Sequence, residues 1–253
     1  MSVPVQRFGD VWLRWLSALS FLVLWSAVAG LAKAPLLPGP GAVAAALAKL
    51  VVSGQLPFDL GVTLLRVAAS FALAMVVGSA AGILMGKSRG VDAFFDLWLV
   101  LGLNIPALVI IYLCYIWGGL TEVAAIVAVA LNKVPNTATI LREGARAVDR
   151  ELLQVAEVLH LPPLRRLRRV YLPQLYPYLM AATRSGLSLI WKIVLVAEFI
   201  GRSNGVGFRL NLYFQFFDIT NILAYSASFI AVVLAVESWL MRPLERRLAG
   251  WRR

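Results

Sequence analysis

The 253-residue chain has one cysteine, Cys114, and one histidine, His160. A lone cysteine forms no intrachain disulfide, and a single Cys and His far apart cannot supply the ligands of a zinc site. No metal site is expected. Acidic residues are also scarce, with 13 Asp and Glu against 24 Lys and Arg, a formal net charge of +11. Only 15% of the chain is charged and 60% is hydrophobic, a balance that calls for a bilayer as solvent. Nor do the bases form one continuous face of the kind that tracks nucleic acid. They fall in short clusters between apolar runs, as in loops beside an anionic membrane surface, so lipid is an expected partner and nucleic acid is not. The N-terminal stretch MSVPVQRFGDVWLRW lacks a small-residue cleavage site, and the first apolar segment reads as a retained span.

One nucleotide-binding motif is approached and missed. In AAGILMGKS, Gly86, Lys87 and Ser88 fit the end of a phosphate-binding loop, but Ala81 stands where its first glycine belongs. The stretch also follows an apolar helix rather than a strand, so Lys87 reads as an anchor at the inner end of a span. The chain is expected to be no enzyme and to hold no cofactor of its own. Gly78, Gly82 and Gly86, at four-residue spacing, lay a small-residue stripe on one helix face where another helix can approach closely.

Runs of about 20 apolar residues, the length that crosses a hydrocarbon core, begin near six places. They are Leu13 to Leu31, Gly61 to Met85, Leu97 to Trp117, Leu120 to Ile140, Tyr176 to Phe199 and Asn221 to Met241. The expectation is an all-α integral membrane protein with six transmembrane helices. Its segments are 1–33 (a tail and the first helix), 34–60 (an external loop), 61–241 (a five-helix core with an inner loop at 143–175) and 242–253 (a basic tail). Pro106 and Pro135 lie within spans and each removes a backbone hydrogen bond, which suggests a bundle that re-satisfies it. Arginines and lysines concentrate on alternate connections: Arg7 and Arg14, then Lys87 and Arg89, then Arg142 to Arg169, then Arg242 to Arg253. By the positive-inside rule these are cytoplasmic, and both termini with them.

The inner loop holds QVAEVLHLPPLRRLRRVYLP, Gln154 to Pro173. Ahead of its two prolines, DRELLQVAEVLHL has helical spacing, with Asp149 placed to cap the first turn. Read from composition alone, this short amphipathic helix either docks a partner or lies on anionic lipid.

The fifth span carries the costly residues. Arg184, Ser188, Trp191, Lys192 and Glu198 fall within an arc of roughly 120° on a helical wheel. Charge at membrane depth faces protein or water, and two readings stand open. In one, Lys192 and its neighbours line a path for an anion, joined by Asn104, Asn132 and Asn136. In the other, Lys192 and Glu198 form an internal pair.

The stretch from Gln154 to Pro173 resembles the signature loop of permease subunits of ATP-binding-cassette importers. That loop reads Glu-Ala-Ala, three residues, Gly, nine residues, Ile, one residue, Leu-Pro. Val170, Tyr171, Leu172 and Pro173 match its end, Gln154, Val155 and Ala156 stand at the triplet, and His160 replaces the glycine. LLPGPGAVAAAL, GVTLLRVAASFALAMVVGSAAGILMGKSRGVDAFFD, LGLNIPALVIIYLCYIWGG and WKIVLVAEFIGRSNGVGF are similar to stretches of the nitrate, sulfonate, taurine and bicarbonate branch. The resemblance implies a transmembrane permease of the cell inner membrane that imports a small anion such as a sulfonate, taurine or nitrate. It implies a homodimer, an external substrate-binding protein and two ATPase subunits that bind the ATP. A coupling helix at about Leu152 to Leu161 would then meet the ATPase through Gln154, Val155, Ala156, Glu157, His160, Leu161 and Arg165. After the fifth span the resemblance implies an external re-entrant or interfacial helix, where Phe208, Tyr213, Phe214, Phe216 and Phe217 either close the path or form an aromatic belt. The alternative class is an ion-coupled secondary transporter without an ATPase. Its sign would be an acidic relay within the spans, yet Glu198 and Glu237 lie near span ends and Glu122 near a loop.

Overall fold

The computed structural model describes residues 8–32, 37–241 and 243; the basic tail expected at 242–253 lies outside them except for Pro243. Among the described residues every regular element is a helix, without a strand. In chain order they form α1 (Phe8–Ala32), α2 (Pro40–Val52), α3 (Gln55–Lys87), α4 (Arg89–Asn104), α5 (Ala107–Gly118) and α6 (Glu122–Arg146). There follow α7 (Arg150–Val158), α8 (Pro163–Arg166), a π-helical turn (Leu167–Tyr171), α9 (Leu172–Gly201), α10 (Val206–Gln215), α11 (Ile219–Val236) and a last π-helical turn (Glu237–Met241).

Among the described residues, four helical rods are long and apolar enough to cross a membrane: Gln55–Lys87, Glu122–Arg146, Pro163–Gly201 and Ile219–Trp239. The run expected to be the third span is two helices, α4 and α5, bent by 100° to each other. Pro106 is the cause. The residue before a proline avoids the α region, and Ile105 accordingly takes φ −68° and ψ 126°, which ends α4 at Asn104. Counted as one broken span the pair makes a fifth, while α1 contributes a shorter apolar stretch, Trp15–Leu31. The segment expected as an external loop at 34–60 is also more ordered than that, since α2 occupies 40–52 and packs on α11.

The centre of the molecule is the α3–α6 pair, with α9 packed against both. The glycine stripe makes this approach possible. A Cβ on Gly78 would come within 2.6 Å of the Thr137 Cβ, one on Gly86 within 2.6 Å of the Ala145 Cβ, and one on Gly82 would run into the Ala138 carbonyl. Pro135 lies inside α6, where its missing N–H removes the helical donor to the Leu131 carbonyl, and its own carbonyl accepts from the Thr139 hydroxyl at 2.9 Å. Outward-facing Leu, Val, Phe and Trp on α1, α4 and α11 are largely exposed, as in a protein whose outer surface meets hydrocarbon.

The helix ends sort into two layers. At one end Lys87, Arg89, Arg146, Arg150 and Tyr171 line a common cleft, and Arg142 and Arg146 clip α6 to α4 through Asp96 at 2.6 Å and Asp92 at 2.5 Å. The start of α6, the C-terminal end of α9 and the start of α10 come together at the other end, around Arg66. The basic end therefore carries α7, and the opposite end carries α10.

Candidate functional site

Three groups of residues bear on function: the short helix α7, a polar face along α9, and a charged cluster that closes the end away from α7.

Helix α7 starts where the sequence places it. The Asp149 carboxylate accepts from the Glu151 N–H at 2.8 Å and from the Leu152 N–H at 3.4 Å, satisfying donors that a helix start leaves free. It ends in a Schellman motif, with the Leu161 N–H donating to the Ala156 carbonyl at 3.0 Å and the His160 N–H to that of Glu157 at 2.9 Å. That motif places His160 in the left-handed region at φ 50°, the conformation for which glycine is the default. His160→Gly is therefore expected to raise the thermal unfolding temperature of the permease slightly, by relief of about 1 kcal/mol of local strain; a fall in that temperature would contradict the cap assignment. Past the turn the chain continues as a single rod. Its π-helical turn ends at Tyr171, two residues before Pro173, whose missing N–H cannot serve the Arg169 carbonyl.

Of the residues expected to meet an ATPase, Gln154, Val155, Glu157, His160 and Arg165 are exposed and Leu161 is half-buried. Ala156 is buried within the chain itself. It is thus part of the seat of α7 rather than of the outward face, which is formed by Leu152, Val155 and Leu159, all about half exposed or more.

The polar arc of α9 divides. Trp191 and Glu198, at one edge, are buried, whereas Arg184, Ser185, Ser188 and Lys192 are exposed. Lys192 and Glu198 sit roughly 120° apart around the helix, so the expected Lys192–Glu198 pair does not form. Among the described residues Lys192 has no ion-pair partner, and Arg184 approaches Glu237 at 3.9 Å. Ser188 donates to the Ser185 carbonyl at 3.1 Å.

Behind this face lies a residue that hydropathy reading passed over. Lys133, near the middle of α6, is fully buried. Its ammonium donates to the Asn136 Oδ1 and lies 3.3 Å from the Ser185 Oγ; that hydroxyl in turn donates to the Asn136 Oδ1 at 3.2 Å. Room for the lysine comes from Gly186, where a Cβ would stand 2.6 Å from the Lys133 Cε. Of the expected path asparagines, Asn136 belongs to this cluster and Asn132 is half-buried one residue before Lys133. Asn104 is elsewhere, exposed at the end of α4 and donating to the Val100 carbonyl at 2.7 Å.

Glu198 belongs to the closed end. Its carboxylate accepts from the Arg66 Nη1 at 2.7 Å, the Thr63 hydroxyl at 2.9 Å and the Gly207 N–H at 2.8 Å. Arg66 also grips Glu122 through Nε and Nη2 at 2.7 and 2.6 Å, and the Asn204 carbonyl and side chain through Nη1 and Nη2, so all five of its N–H groups have acceptors. Asp59, fully buried, accepts from the Gly205 N–H at 3.0 Å, Arg209 at 2.8 Å and the Tyr225 hydroxyl at 3.0 Å. Burial works to lower the pKa of Arg209, and the hydrogen bond and charge of Asp59 outweigh it, leaving the guanidinium raised. Three carboxylates, Asp59, Glu122 and Glu198, thus face three guanidiniums, Arg66, Arg202 and Arg209. The first N–H groups of α10 are held by Asp59, Thr63 and Glu198 from other helices. Gly205 is required at this junction, with φ 100° and no space for a Cβ beside Glu198 and Arg66. Glu198 is accordingly buried inside an ion-pair cluster that ties α3, α6, α9 and α10 together. In α10 and beyond, Phe208 and Tyr213 are half-buried, while Phe214, Phe216 and Phe217 are exposed at the rim.

A model of the binding-protein-dependent transport system inner membrane component matches residues 74–250, from within α3 through α6, α7 and α9. The chain belongs to this family. Among curated relatives of this permease, a putative aliphatic sulfonates transport permease of Bacillus subtilis is 30% identical over 98% of the chain and 90% of its own length. The taurine transport system permease of Escherichia coli is 28% identical over 76% of the chain and 70% of its own length. A solved amino acid ABC transporter with histidines shares the fold, with a TM-score of 0.63 over 79% of the permease and 97% of that chain, at 20% identity. The relatives are transport permeases and not enzymes, which agrees with the near-miss at Gly86, Lys87 and Ser88.

Proposed function

We propose that the permease imports a small anion, a sulfonate or a related oxyanion, driven by ATP that partner subunits bind and hydrolyse. The observation that carries this reading is the exposed polar face of α9, where Ser185, Ser188 and Lys192 stand on a membrane-spanning helix, with no carboxylate partner for Lys192 among the described residues. An ammonium at such depth faces water or protein rather than lipid. A path between two copies of the permease, closed at the far end by the Arg66 cluster, supplies that setting. The relatives' cargoes, aliphatic sulfonates and taurine, support a sulfonate-bearing substrate delivered by an external binding protein.

In this reading the basic end is cytoplasmic, both termini lie there, and the outward face of α7 is the surface on which an ATPase docks. Two ATPase subunits serve two permeases, and their closure on ATP is passed through α7 to the continuous rod that leads into α9. A secondary transporter is less well supported, because among the described residues the buried carboxylates Asp59 and Glu198 are already held by guanidiniums at one end and form no relay through the spans.

Orientation is tested by side-specific labelling in a Cys114→Ser background. A cysteine replacing Arg168 is expected to react with an impermeant thiol reagent only from the cytoplasmic side, and one replacing Gln215 only from outside. Both positions are exposed and outside the ion-pair clusters. Labelling of the Arg168 position from outside would overturn the assignment.

A further inference from the structure

Lys133 presents an energetic problem that its own neighbours do not solve. Its ammonium sits at the middle of a 25-residue membrane helix, where an unpaired cation is costly. Among the described residues no carboxylate pairs with it. The elements around it offer only the Asn136 Oδ1 on α6 and the Ser185 hydroxyl on α9, with Gly186 and Phe71 completing the wall. A purely structural lysine would be met by Asp or Glu, or replaced by an apolar side chain that packs as well.

The local bonding has a direction. The Asn136 Oδ1 receives both the Lys133 ammonium and the Ser185 hydroxyl. Its acceptor end is therefore turned inward, and both N–H groups of the same amide point away from the lysine. Asn136 is half-buried and Ser185 exposed on the face shared with Ser188 and Lys192. The cluster thus offers donors to that face with a positive charge immediately behind them.

We infer that Lys133, Asn136 and Ser185 form a mid-membrane binding site for an oxyanion, of the sulfonate, carboxylate or nitrate class. The Asn136 amide N–H groups make the direct contacts, the Ser185 hydroxyl holds that amide in place by donating to its Oδ1, and the buried ammonium supplies the compensating charge. Lys192, two turns further along α9 from Ser185, adds a second cation to the same face. With no free carboxylate beside the site, a net anion is preferred over a zwitterion carrying its own ammonium. This inference rests on the anion-path reading and deepens it by naming the residues that read the charge.

The test uses a pair of probes that differ chiefly in an ammonium group, ethanesulfonate and taurine, titrated calorimetrically onto the full-length permease in lipid nanodiscs without a binding protein. The wild type is expected to bind ethanesulfonate saturably and taurine at least about tenfold more weakly, as Coulomb repulsion at low dielectric requires. Lys133→Met should weaken ethanesulfonate binding by about tenfold or more. Asn136→Asp keeps the lysine satisfied by a carboxylate, so it folds, and it should weaken the anion comparably. Gly186→Ala, which pushes on the Lys133 Cε, should weaken it by a smaller factor.

Wild-type affinity in both Lys133→Met and Asn136→Asp, equal binding of the two probes, or no saturable ethanesulfonate binding by the wild type would overturn the site. If Lys133→Met fails to fold, Asn136→Asp decides alone. ATPase copurification, measured in parallel, tests the importer reading separately: a permease that binds the anion through Lys133 but never retains an ATPase keeps the site and loses the importer.

Discussion

Arg66→Ala is expected to destabilise the folded permease by about 3–5 kcal/mol, the range for breaking a buried ion pair by removing one partner. The reason is what remains. Glu198, fully buried, would keep only the Thr63 hydroxyl and the Gly207 N–H, and the Asn204 carbonyl and side chain would lose their donor. Glu122 is less affected, because Arg202 still donates to it at 2.5 Å. Arg66→Lys should rescue little, since an ammonium has three donors where the guanidinium uses five in a fixed plane. Since Arg66 and Glu198 share one contact, the double variant Arg66→Ala with Glu198→Ala should cost clearly less than the sum of the two singles. Denaturant unfolding of the four proteins in mixed micelles measures the coupling. Simple additivity would show that the cluster at this end is not built on that pair.

The second large effect is expected at α7. Leu152 and Leu159 lie two turns apart on its outward face, with Val155 between them. Aspartate at both positions leaves the fold intact, because neither side chain is buried in the permease. It would place two charges in an apolar contact with the ATPase. Central apolar anchors of an interface are each worth about 2 kcal/mol or more, so the pair should reduce copurification of the ATPase by about a thousandfold in affinity. Ala156→Asp provides the contrast. Ala156 is buried inside the permease, so its replacement should lower the permease's own thermal stability, where the Leu152 and Leu159 changes do not. Retention of the ATPase by the double aspartate variant at wild-type yield would exclude docking through this face.

Much of this architecture is legible in the sequence because the bilayer makes hydropathy and charge placement decisive. The Asp149 cap, the end of α7 before Pro162 and the Gly78, Gly82 and Gly86 stripe all rest on local rules and appear as expected. Pro106 is expected from sequence to cost one backbone hydrogen bond within a continuous span, but the bias against α conformation before proline prevails at Ile105 and splits the run into α4 and α5. The Arg66 cluster was not legible, since its members come from α3, α6, α9 and the chain before α10. No periodicity within one helix reports that meeting. Lys133 was missed for a related reason. A single lysine in an Ala- and Val-rich run looks like noise in a hydropathy window, and its weight appears only when Asn136 and Ser185 are found at its tip. One signal was available: Asn132, Lys133 and Asn136 are too polar for a lipid-facing helix, so their presence in a span already pointed to a protein- or water-facing side. The helical wheel grouped Lys192 with Glu198 correctly in angle but could not tell the buried edge of the arc from the open one.

The central claim, that ATP drives a small anion through this permease, is tested most directly by uptake into vesicles holding the permease and its ATPase, with the binding protein and a panel of labelled anions outside. Accumulation of at least one anion against its gradient is predicted only with ATP inside, and it should vanish with the Leu152→Asp and Leu159→Asp pair while an imposed proton or sodium gradient has no effect. Accumulation driven by an ion gradient, without ATP and without the ATPase, would contradict the account.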